Sequence, residues 1–113
     1  MQATFSHASE FNQDISNWDV SLVNEMWLMF WNASKFNQDI NTKPVYKNNR
    51  TYTAWDVQNV ENMFGMLRDA TDFNHDISNW NVENVIQCEQ FATNSLIEND
   101  DNKLPHFQNC QPQ

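Results

Sequence analysis

The sequence predicts an α/β fold: a short right-handed solenoid with one short parallel strand and one short helix in every 25-residue turn. Three observations predict it. The block Phe11-Asn12-Gln13-Asp14-Ile15-Ser16-Asn17-Trp18-Asp19-Val20 returns nearly unchanged as Phe73-Asn74-His75-Asp76-Ile77-Ser78-Asn79-Trp80-Asn81-Val82. A middle copy begins at Phe36-Asn37-Gln38-Asp39-Ile40 and resumes at Trp55-Asp56-Val57. Inside each copy, a two-residue alternation gives way to a three- and four-residue spacing, the patterns of a half-buried strand and of one helix face.

The period comes from the aromatic columns. Phe11 to Phe36 is 25 residues, and Phe36 to Phe73 is 37, one period plus an insertion of 12. Trp18 and Val20 alternate with Asp19, which predicts the strand. Val23, Met26, Met29, Phe30 and Ala33 follow at helical spacing, which predicts the helix. The second turn fills the same columns with Val60, Met63, Met66, Leu67 and Ala70. The third uses Val85, Cys88, Phe91 and Ala92, with Ser95 in place of Ala. Met1, Thr4, Phe5 and Ala8 match the end of a repeat, so the chain opens partway through one. Parallel strands of successive turns would lie about 4.8 Å apart, each turn burying its apolar face only against its neighbours. The domain reading is a repeat array over residues 1–95, interrupted at 41–54, with a cap or tail at 96–113.

On these residues the chain resembles the BspA-like tandem repeats of bacterial surface proteins, a family of unknown function with Phe-Asn-x-Asp-Ile-Ser-x-Trp-Asp-Val and Met-x-x-Met-Phe signatures. The resemblance covers residues 1–95 and implies leucine-rich-repeat-like turns, since Ile15, Trp18 and Val20 fit a Leu-x-x-Leu-x-Leu frame. Val23, Val60 and Val85 stand where that frame has Asn. The resemblance implies interaction, adhesin-like in many members, and names no ligand.

Composition narrows the partners. The net charge is -9 and the pI about 4.4, a surface that repels phosphate backbones and anionic lipid. No nucleic-acid partner is expected, and no stretch is apolar enough to enter a bilayer. Met1 through Ser6 lack the features of a signal peptide. The chain as it stands is therefore expected in the cytoplasm, or at the cell surface if it is cut from a longer protein. Gly65 is the single glycine, so Asn and Asp are expected to make the turns. Cys88 occupies a Met column and reads as a small buried residue, with a disulfide as the alternative; Cys110 reads as a free thiol in the tail.

Three surfaces are candidates for function. Trp27, Leu28, Trp31 and Phe64 are apolar where the repeat requires nothing apolar, which marks a subunit interface or a patch covered by the insertion or tail. Outward strand positions carry Asn17, Asp19, Ser21, Asp56, Gln58, Asn79, Asn81 and Glu83, a small polar face for a ligand or for water. The insertion carries Lys43, Tyr46, Lys47, Arg50 and Tyr52, either a solvated loop or a basic arm that docks on an acidic surface.

The column Asp14, Asp39 and Asp76 could bind calcium, but its strict repetition beside Asn12, Asn37 and Asn74 favours turn capping. His7, His75 and His106 share no frame position with an acid or nucleophile. No catalytic, metal or cofactor motif is found. The expected function is a non-enzymatic interaction or structural module, self-associating into a homo-oligomer and needing no cofactor. The alternative is a carbohydrate-binding or carbohydrate-hydrolysing surface protein that uses the Asp columns and tryptophans.

Overall fold

A computed structural model describes residues 1–113. Successive repeats lie one on the next, but the architecture is not the expected one. There is no helix, and the only strands are β1 (Lys43–Lys47) and β2 (Arg50–Ala54), an antiparallel pair. Parallel pairing is confined to single bridges, Glu25 to Asn62 and Asn62 to Gln87. The α/β solenoid of leucine-rich-repeat-like turns is thereby overturned, in both its helices and its parallel strands.

The helix fails because its amide groups are used elsewhere. The amides of Met26, Leu28, Phe30 and Asn32 donate to the carbonyls of Asn62, Phe64, Met66 and Arg68 in the next turn, at 2.9, 2.8, 2.8 and 3.0 Å. The amides between them, of Met29, Trp31 and Ala33, donate back three residues. Met63, Gly65, Leu67 and Asp69 repeat the pattern toward Gln87, Glu89, Phe91 and Thr93. An α-helix would send every amide to the carbonyl four residues back. Left-handed residues every fourth position make the alternation possible: φ is 55° at Leu28 and 60° at Asn32, then 57° at Gly65 and 59° at Asp69, then 56° at Gln90 and 66° at Asn94. No right-handed helix continues through such residues. Asn and Asp supply part of the set, as expected, but Ala3, His7, Leu28 and Gln90 carry it too. At Gly65 a Cβ would lie 2.7 Å from Leu28 Cδ2, so the leucine of the turn before occupies that space.

The predicted strands at Trp18–Val20 and its copies are absent for a related reason. The Ser21, Gln58 and Glu83 amides donate to Asp19, Asp56 and Asn81 Oδ1, at 3.0, 3.2 and 3.1 Å. These local turns leave none of the three amides for a neighbouring turn. Apart from the Trp55 amide, which donates to the Trp18 carbonyl at 3.1 Å, side chains make the links on this side. The Trp55 indole donates to the Ile15 carbonyl and the Trp80 indole to the Ile40 carbonyl, both at 2.8 Å. Trp18, Trp55 and Trp80 stack with centroids 6.5 and 6.2 Å apart and planes within 8°. Phe11, Phe36 and Phe73 form a second stack at 5.7 and 5.8 Å. An asparagine ladder runs outside it, with the Asn37 amide on Asn12 Oδ1 and the Asn74 amide on Asn37 Oδ1. The core between these ladders contains Ile15, Ile40, Ile77, Val20, Val57 and Val82, all buried.

The insertion is a hairpin. Asn48 and Asn49, at φ 56° and 62°, form the two-residue loop between the strands, the conformation a type I′ turn demands and asparagine tolerates. Val45 and Tyr52 pack against the core, and the Tyr52 hydroxyl donates to the Asn17 carbonyl.

The tail continues the ladders. Asn59, Asn84 and Asn109 each donate Nδ2 to a carbonyl of the preceding turn, at 2.8, 2.7 and 2.8 Å. Lys103 Nζ lies 2.8 Å from Asn74 Oδ1 and closes the asparagine ladder. Pro105 is buried one period after Trp80 and presents no amide that could extend the stack. Cys110 is bonded to Cys88, so neither cysteine is free: Cys88 is buried as expected but in the disulfide given as its alternative, and the free-thiol reading of Cys110 is corrected. The tail register was the signal available in the sequence, since Cys110 lies one period after the core residue Val85.

Candidate functional site

In the first and third turns, pairs of outward residues alternate with buried ones, as Trp27 and Leu28 lie between Met26 and Met29, and one column of the stack holds Trp27, Phe64 and Glu89. Their neighbours Asn62, Gln87, Gln90 and Gln113 complete a groove of about 480 Å³. Trp27 and Phe64 are half-buried and supply its apolar floor, with amide side chains around it. Asn62 Oδ1 accepts the Phe64 amide at 3.0 Å, which fixes the turn at this point. Sequence reasoning found the two aromatics but missed the polar rim, because Gln113 reaches the groove only through the tail.

Leu28 and Trp31, predicted to share this face, are half-buried and held by neighbouring turns. Leu28 lies against Gly65. The Trp31 ring sits 4.5 Å from that of His7, its indole donates to Asp69 Oδ2 at 3.3 Å, and Arg68 lies over it at 6.0 Å. Trp31 is thus a link between three turns.

The polar column holds its residues in the local turns described above. Asp19, Asp56 and Asn81 accept amides, from Ser21, Gln58 and Glu83 respectively. The Asn17 carbonyl takes the Tyr52 hydroxyl, and the Asn79 amide donates to Asn41 Oδ1. In the other acidic column, Asp14, Asp39 and Asp76 accept the amides of Ser16, Asn41 and Ser78.

Hydrogen bonds from the Ser16 side chain and amide hold the Asp14 carboxyl below its ordinary value of 3.8, with Lys43 adding the smallest contribution. Ser21 lowers Asp19 and Ser78 lowers Asp76 in the same way. A carboxylate lowered on folding stabilises the fold above its unfolded value, and that contribution is lost as pH falls through the folded value. The melting temperature is therefore expected to drop below about pH 4. In carbon-detected titrations, Ser16→Ala and Ser78→Ala should move Asp14 and Asp76 back toward 3.8. Unchanged titration in both variants would refute the serine side chains' share and leave the amide caps standing.

The hairpin places Tyr46, Lys47 and Arg50 in solvent, while Lys43 and Tyr52 lie partly buried at its base. Arg50 covers the Tyr52 ring at 5.0 Å. None of the three hairpin cations forms an ion pair; the chain's ion pairs are Lys35–Glu10 and Arg68–Asp69.

These features define a protein of stacked, aromatic-cored repeats with an outward groove and a basic arm. Residues 1–53 match the family described as "Mycoplasma protein of unknown function, DUF285". That match runs from the partial first repeat through the first full one and into the hairpin. No curated protein and no solved structure matches the chain. No helix of the chain is long and apolar enough to cross a membrane.

Proposed function

We propose that this chain is a non-catalytic protein-interaction module that associates with copies of itself through the face carrying Trp27 and Phe64. The observation that carries the reading is the groove: two half-buried aromatics in a column where the third repeat has Glu89. The repeat does not need aromatic residues there, so a contact outside the chain accounts for them. Burying each would contribute about 1.5 to 3 kcal/mol before association costs. A twofold contact would bring the same groove from each chain together.

The disulfide favours a setting outside a reducing cytosol, in keeping with the resemblance to BspA-like surface repeats. The carbohydrate-acting alternative loses support, because Trp55 and Trp80 are buried within the stack and their rings are closed to a sugar.

Light scattering over a concentration series tests the proposal. In about 0.5 M salt, which screens charged contacts, the wild-type protein should reach a dimer mass, and Trp27→Glu should remain monomeric with an unchanged melting curve. Trp31 is left intact because its links to His7 and Asp69 would confound the result. A wild-type protein that stays monomeric at millimolar concentration would refute the reading.

A further inference from the structure

The charge distribution singles out two segments. Residues 41–54 contain three cations and no acid, in a chain of net charge -9. Residues 95–102 contain Glu98, Asp100 and Asp101 and no cation. The hairpin is a preformed arm, its loop set by Asn48 and Asn49, with Tyr46 72% exposed near its tip. Leu96, Glu98, Asp100 and Asp101 line a shallow basin of about 780 Å³, and Leu96 is 61% exposed at its edge. Each segment thus pairs charge of one sign with a large exposed apolar side chain.

Within one chain the two do not meet. No hairpin cation pairs with an acid of residues 98–101. The hairpin leans on the first turn through Tyr52 and Asn17. The acidic loop belongs to the other end of the stack, where the Leu96 amide donates to the Phe73 carbonyl and the Ile77 amide to the Lys103 carbonyl.

We propose that the hairpin of one copy docks in the acidic basin of the next, with Lys47 and Arg50 facing Glu98 and Asp101, and Tyr46 against Leu96. The inference rests on the self-association reading and assigns a contact other than the Trp27 face. Because the two surfaces differ, the contact is heterologous and repeats from copy to copy, giving an open series unless the rotation closes a ring. Opposite charges steer such an encounter and make it salt-sensitive.

Sedimentation at low salt and at about 0.5 M salt tests this, with every chain carrying Trp27→Glu so that only the hairpin contact is read. Average mass should rise with concentration at low salt and fall at high salt. Lys47→Glu and Asp101→Lys should each weaken association at least about tenfold. Mixing the two variants should restore it, since the intact hairpin of one meets the intact basin of the other. A misfolded variant would give no such rescue. The contact is overturned if the mixture stays monomeric, or if association persists in Lys47→Glu and in high salt. A Trp27→Glu chain that is monomeric even at low salt, beside a salt-resistant wild-type dimer, would overturn this contact and leave the Trp27 face standing. A wild-type chain that is monomeric throughout would overturn both.

Discussion

Trp55→Ala is expected to remove about 3 to 5 kcal/mol of stability, a large share of the total for a domain of this size. Trp55 is fully buried and lies between Trp18 and Trp80 in the stack. Its loss opens a cavity and strips both neighbours of a stacking partner. It also leaves the Ile15 carbonyl without the indole donor, and an unpaired buried acceptor costs about 1 to 3 kcal/mol. Trp55→Phe separates these effects, because it keeps a ring and loses the donor. Trp18→Ala should cost less, since Trp18 is only half-buried at the end of the column. Urea denaturation of the three variants checks the order. Equal losses at Trp18 and Trp55 would show that the stack does not bear the stability assigned to it.

Loss of the Cys88–Cys110 bond should have the next largest effect. The bond spans 22 residues, and opening a loop of that length costs about 3 kcal/mol on the chain-entropy argument. The tail it anchors covers the last full turn: Phe107 meets the Phe91 ring edge-on with centroids 5.0 Å apart, and Asn109 donates to the Glu83 carbonyl. Without the anchor, the tail holds by these contacts and by the bonds that join Leu96 to Phe73 and Lys103 to Asn74 and Ile77, and the end of the core becomes more accessible. Cys110→Ser, or added reductant, is expected to lower the melting temperature and speed hydrogen exchange in residues 96–113. Gln113 should loosen with the rest and open one wall of the groove. A reduced protein as stable as the oxidised one would mean that packing alone holds the tail.

The two effects come from opposite ends of what was legible. Trp18, Trp55 and Trp80 share one column of the repeat, so their stacking follows from spacing once each turn rests on the next. The carboxylates of Asp14, Asp39 and Asp76 cap turns beside the asparagine ladder, as their repetition implied. The disulfide was less legible. Cys110 falls in a tail whose residues match the repeat only at widely spaced positions, and proximity to Cys88 exists only once that tail folds as another turn.

The sequence by itself determined the period, the place of the insertion and which side chains face inward. Those are properties of spacing, and the burial of Val60, Met63, Met66, Leu67 and Ala70 obeys it. Tertiary structure decided where the backbone amides go. A spacing of three and four residues suits one face of a helix, and it equally suits a chain that reverses every four residues through left-handed positions such as Leu28 and Asn32. Both arrangements bury the same side chains. They differ in whether an amide bonds within its own turn or to the next one, and the next turn is available only in the assembled stack. Amides that reach across, as from Leu28 to Phe64, join successive repeats along their whole outer side, which a helix satisfying its own amides could not do.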